Sequence, residues 1–213
     1  TSILWLATAT VFGWLFFMFV LKPFFRFSFV QKPFAVFSYF VLLTVGISYL
    51  FFPTPLLLYK DSPLFPIATL VVVLGFCSQL YVRAKAKLAS TEQRFAHRDL
   101  ELLCLDQRFL FSKSADVFFQ QTVAGILILT LSTSFSLLIL SLLFSVLFAV
   151  AHMGLLFRIP HDWFVYFLLC ALVGGALMPY FILYVAGGIY YTIAFHVLWY
   201  AITGVFFRTH ARA

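Results

Sequence analysis

Seven long apolar runs, with charge confined to the segments between them, set the limits on what this chain can become. Ile3–Leu21, Pro33–Phe52, Phe65–Val82 and Trp163–Leu183 contain no Asp, Glu, Lys or Arg. Asp116–Leu131 has one acid, at its first position, and Phe135–Gly154 and Gly187–Phe207 have one histidine each. A hydrocarbon core about 30 Å thick is crossed by about 20 apolar residues as α-helix. Only a helix or a closed barrel satisfies its backbone polar groups in lipid. The runs therefore predict an all-α, polytopic transmembrane bundle of seven spans. The first run is too long and too uniformly apolar for the core of a secretory signal. Pro53, Pro55, Pro63 and Pro66 interrupt the apolar connector Phe52–Pro66, a pattern that fits a re-entrant or interfacial piece.

Composition excludes the other classes. Of 213 residues, 64% are hydrophobic and 10% charged, where a soluble domain has about 25% charged. With 14 Lys and Arg and 7 Asp and Glu, the chain cannot cover a water-facing surface. A soluble enzyme, a disordered chain and a disulfide scaffold are all excluded. The net charge of +7 does not point to nucleic acid, because the basic residues lie between spans and not on one face. With seven spans and the N-terminus outside, every Lys and Arg but Lys60 falls on the inner side, which sets the orientation as N-out, C-in. Cys77 and Cys170 lie in apolar runs and Cys104 in a polar one, so no disulfide is expected.

The chain then reads as one membrane domain in three parts: three N-terminal spans (1–82), a polar segment (83–115) and a four-span half (116–207). In the polar segment Leu88, Phe95, Leu102, Leu103 and Leu110 recur at roughly helical spacing. That spacing predicts an amphipathic helix on the membrane surface, or a solvated linker with a helical middle. Asp116, at the membrane boundary, reads as a helix cap.

Polar side chains inside spans are costly and usually face a bundle interior. Here they are Gln120 and Gln121 in span four, His152 in span five and His196 in span seven. Ser141, Ser145 and Ala149 step by four toward His152, and Gly188, Thr192, His196, Tyr200 and Gly204 step by four along span seven. Small residues at this spacing let helices approach closely. Spans four, five and seven are therefore expected to pack together with their polar residues inward. Taken singly, each polar residue reads as interhelical glue worth about 0.6 kcal/mol.

In combination these residues resemble the CPBP family, the intramembrane CAAX-processing and bacteriocin-processing proteases. Phe148-Ala-Val-Ala-His152 is similar to its FxxxH motif, and His196-Val-Leu-Trp-Tyr200 to its HxxxN-type motif. The glycine-containing stretch Gly174–His196 resembles the turn and helix leading to the second histidine, and the likeness covers Asp116 to Gly204. The family opens with EExxxR, where this chain has Gln120-Gln121-Thr-Val-Ala-Gly125. Both acids and the arginine are absent, with Gly125, or Ala124 in a register one residue away, at the arginine position. Tyr200 stands where asparagine is usual.

The resemblance implies a cavity around His152 and His196 with a disabled reaction centre. In the family the glutamate is the base that activates water, and the histidines bind a metal or stabilise the oxyanion. A glutamine amide can hold a water but cannot take its proton. The expected function is a non-catalytic structural, assembly or partner-binding subunit of a membrane complex. The partners implied are the bilayer, other membrane proteins, and lipid or pigment along the aromatic exterior. The location is an integral one in an inner, plasma or organellar membrane. One alternative is an active CPBP-type metalloprotease, with zinc on His152 and His196. Another is a small transporter or lipid-handling protein. Without the protease alternative no cofactor or metal is expected. The chain has no HExxH, CxxC, GK[ST] loop, GxGxxG or serine nucleophile elbow.

Overall fold

The computed structural model describes residues 2–51, 107–157 and 161–210. Every element among them is helical: α1 (Ser2–Phe16), a π-turn (Phe17–Leu21), α2 (Lys22–Phe25), α3 (Pro33–Leu50), α4 (Gln107–Leu131), α5 (Leu137–His152), a 3₁₀ turn (Met153–Phe157), α6 (His161–Tyr184) and α7 (Gly188–His210). Five stretches are long and apolar enough to cross a membrane: Ile3–Phe25, Pro33–Leu50, Gln107–Leu131, Leu137–Leu156 and Phe164–Tyr184. The connector Phe52–Pro66, span three (Phe65–Val82) and the polar segment up to residue 106 lie outside the described residues.

Local chemistry sets the ends of the first two helices. The α1–α2 rod stops at Arg26, whose φ of 51° is left-handed. The Phe27 amide then donates back to the Leu21 carbonyl, six residues earlier, at 3.1 Å, which satisfies one of the carbonyls left open at the helix C-terminus. Lys32 Nζ donates to the Phe25 carbonyl at 2.7 Å, placing a cation at the negative end of the helix dipole. Ser28 Oγ accepts from the amides of Val30 and Gln31. Pro33, which has no N–H to satisfy, opens α3 at its first turn.

Helix α4 is the central element. It packs on α3, α6 and α7, and its buried residues run from Phe109 to Ile128. Phenylalanines join it to the first helices: Phe40 meets Phe119 at 5.8 Å between ring centroids, Phe29 meets Phe109 at 5.7 Å and Phe17 meets Phe40 at 5.1 Å. Tyr39 donates its hydroxyl to the Gly13 carbonyl at 2.6 Å, tying α3 to α1. A second cluster joins α4, α5 and α6 through Ala124, Ile128, Leu140, Phe144 and Met178. The outer faces are apolar; Leu4, Trp5, Phe12, Phe19, Leu42, Leu138, Leu142 and Val146 are all exposed. A water-facing protein rarely presents so continuous an apolar surface.

Two expectations for span four need correction. The helix does not begin at Asp116, because α4 is already formed at Gln107. Residues 107–115 are therefore its first turns and not part of a surface segment, and Phe109, Ser112, Lys113 and Ala115 are buried. Nor is Asp116 a cap. It is fully buried inside the helix, ion-paired with Lys113 one turn earlier. The physical reason is local satisfaction of polarity. The pair cancels its own charge, and Ser112 Oγ donates within reach of the Arg108 and Phe29 carbonyls. Lys113 accordingly drops out of the loop charges that orient the chain.

Candidate functional site

A cavity of about 740 Å³ lies among α4, α5, α6 and α7. Gln121 reaches it from α4, Phe148 and His152 from α5, Tyr166 and Cys170 from α6, and Thr192, His196 and Trp199 from α7. The two histidines and one glutamine singled out from sequence thus share a single chamber, although 75 residues separate Gln121 from His196. The remaining walls are almost wholly apolar, including Leu169, Val173, Leu177, Met178 and Phe181.

Helix periodicity puts each side chain there. His152 sits one turn after Phe148 on α5, so both face the same way. On α7 Thr192 and Tyr200 are buried either side of His196, as the four-residue ladder predicts. The packing order differs from expectation in one respect. Helices α4 and α7 do pack directly, but α5 packs mainly on α6, which also contacts α4 and α7. The cause is a close backbone approach. A Cβ added at Gly175 would lie 2.5 Å from the Phe144 carbonyl oxygen, and Ser145 Oγ donates to the Leu172 carbonyl at 2.7 Å. The small-residue stripe of span five therefore serves span six. At the α6–α7 turn Gly187 takes a left-handed φ of 66°, and Gly188 lies against the Phe181 backbone.

Hydrogen bonds fix the state of each imidazole. His152 Nδ1 lies 2.7 Å from the Phe148 carbonyl. A carbonyl only accepts, so Nδ1 carries the proton; in the neutral ring that an apolar lining without a carboxylate favours, Nε2 is then a lone pair. His196 Nδ1 lies 2.8 Å from Gln121 Nε2. The amide nitrogen only donates, so here Nδ1 accepts and Nε2 carries the proton. Gln121 Oε1 is buried without a partner, as is Trp199 Nε1. The Tyr200 ring stacks on His196 with centroids 5.3 Å apart and planes 9° from parallel.

Behind Tyr200 lies a buried ionic cluster that has no counterpart in the sequence expectations. Lys113 Nζ pairs with Asp116 Oδ2 and sits 5.3 Å from the Phe29 ring centroid and 5.0 Å from that of Tyr200. Gln120 Nε2 donates to Asp116 Oδ1 at 2.9 Å. The adjacent glutamines therefore do different work: Gln121 faces the cavity, while Gln120 completes the shell of Asp116. The signal was present in the spacing, since Lys113, Asp116 and Gln120 follow i, i+3 and i+7 on one helix face.

Chemically, the residues around the cavity offer one imidazole acceptor, one imidazole donor, the Gln121 amide and the unpartnered Trp199 Nε1–H. The carboxylate one turn from the amide, Asp116, is committed to Lys113 and Gln120. Among the described residues no three His, Cys, Asp or Glu side chains group to hold a metal ion. Two imidazoles alone fall short of the three protein ligands of a catalytic zinc centre. One of them, His196, has Nδ1 taken by the amide. No family model, curated protein or solved structure matches the chain.

Proposed function

We propose that this is a non-catalytic, multi-pass membrane protein related to the CPBP intramembrane proteases. It keeps their histidine cavity for binding and serves as a structural, assembly or partner-binding subunit of a membrane complex. The proposal includes seven spans with the N-terminus outside and the C-terminus inside, following the basic residues of the connecting segments. The single observation that carries it is Gln121. At the position of the family's acidic pair, an amide hydrogen-bonds His196 Nδ1 at 2.8 Å and cannot take a proton from water. The nearby Asp116 does not replace it, because its two oxygens are engaged by Lys113 and Gln120.

The test is proteolysis by the purified chain reconstituted in liposomes, with prenylated CAAX-type peptides and transmembrane peptides as substrates. The reading predicts no product above that of a His152→Ala variant. Cleavage that depends on His152 overturns it in favour of an active protease.

A further inference from the structure

The cavity is open sideways. Its lining residues Leu169, Val173 and Leu177 step by four along α6, and each is half or more exposed on the outer surface, as is Phe195 of α7. The three α6 residues lie mid-way along Phe164–Tyr184, one of the stretches long enough to cross a membrane. Gly174 lies in the same wall, and a Cβ placed there would meet nothing within 4 Å. A side opening at that depth admits molecules dissolved in the hydrocarbon, not solutes from water. Its volume, about 740 Å³, falls within the roughly 300–1,000 Å³ of small-molecule sites.

The polar end of such a molecule is specified by the two rings. His152 presents an Nε2 lone pair because its Nδ1 proton is given to Phe148. His196 presents an Nε2 proton because its Nδ1 accepts from Gln121. No described side chain bonds either Nε2. A group that donates once and accepts once matches both, and a hydroxyl is the smallest that does. A carboxylate or phosphate matches poorly, since it needs several donors and the lining contains no Lys or Arg; the nearby Lys113 is paired with Asp116. We infer that the cavity binds an apolar molecule with one neutral hydroxyl, which enters from the bilayer and is held between His152 Nε2 and His196 Nε2. The inference rests on the binding role proposed above and names its ligand class.

The experiment uses the full chain in nanodiscs and a diazirine-bearing analogue of hexadecanol, with labelled peptides identified by mass spectrometry. Labelling is expected on the α6 and α7 segments that line the cavity, and competition by hexadecanol but not by hexadecane or palmitate. Competition by cholesterol instead identifies a fused-ring alcohol as the better fit and supports the same chemistry. His196→Phe should weaken competition by hexadecanol about tenfold, the loss of one hydrogen bond worth about 1.4 kcal/mol. Gly174→Leu fills open space at the portal and should abolish labelling with the fold intact, which covers the case in which His196→Phe does not fold. Equal competition by hexadecane, or labelling unchanged in Gly174→Leu, overturns the inference. Peptide cleavage by the same preparation would instead overturn the non-catalytic reading, so the two failures are separable.

Discussion

Replacing Asp116 with asparagine keeps the shape of the side chain but strips Lys113 of its counter-charge. The structure makes this expensive, because the Asp116 side chain is 0% exposed and that of Lys113 is 9% exposed. Two unit charges about 4 Å apart attract by about 4 kcal/mol at an effective dielectric of about 20. Removing one member of a buried pair costs about 3–5 kcal/mol, whereas replacing both with apolar residues is neutral or stabilising by about 1–4 kcal/mol. Lys113 retains the rings of Phe29 and Tyr200, which soften the loss by about 0.5–2 kcal/mol. Asp116→Asn is therefore expected to lose about 2–3 kcal/mol, and Lys113→Met/Asp116→Leu to be at least as stable as the parent. Equilibrium unfolding by SDS in mixed micelles, run as a double-mutant cycle, reads the difference. An Asp116→Asn variant within about 0.5 kcal/mol of the parent would show that water reaches the pair and that it is not a buried one.

Two further predictions concern packing and polarity. Gly175→Ala should destabilise the chain by about 1–3 kcal/mol as α5 and α6 are pushed apart, while Gly174→Ala next to it should be neutral or gain up to about 1 kcal/mol of helix propensity; the same unfolding assay compares them, and equal effects would contradict the close α5–α6 contact. Gln120→Glu replaces the donor to Asp116 with a second acid, so Gln120→Glu/Gln121→Glu should lose several kcal/mol or hold at least one proton. Infrared carboxyl bands and stability together check this, and two ionised acids at parental stability would contradict a dry interior.

Much of this arrangement was legible because helices repeat regularly. The apolar runs locate α1, α3, α5, α6 and α7 to within a few residues, and the polar residues expected to face inward, His152, His196 and Gln121, line one chamber. The start of α4 was not legible in the same way. Lys113 reads as a loop charge until its partner is found within the same helix, and residue type alone does not show that a charge has been cancelled. Gly174 and Gly175 are equivalent as letters; only the position of α5 makes one a portal residue and the other a contact. Tyr166 and Cys170 line the cavity without belonging to any motif, and Trp199 does so from a position that its motif leaves unspecified, because cavity walls are set by tertiary packing. The exchange of α6 for α4 and α7 as the partner of α5 has the same origin, since a small-residue stripe says that a helix is approached but not by which neighbour.

An amide, and no acid, engages the second imidazole. Nitrogen-15 NMR of the histidine rings in the reconstituted chain tests it most directly, since proton position sets the shifts of the two ring nitrogens. Two neutral rings of opposite tautomer are expected: His152 protonated at Nδ1 and His196 at Nε2. A His196 ring protonated at Nδ1 and shared with a carboxylate would contradict this.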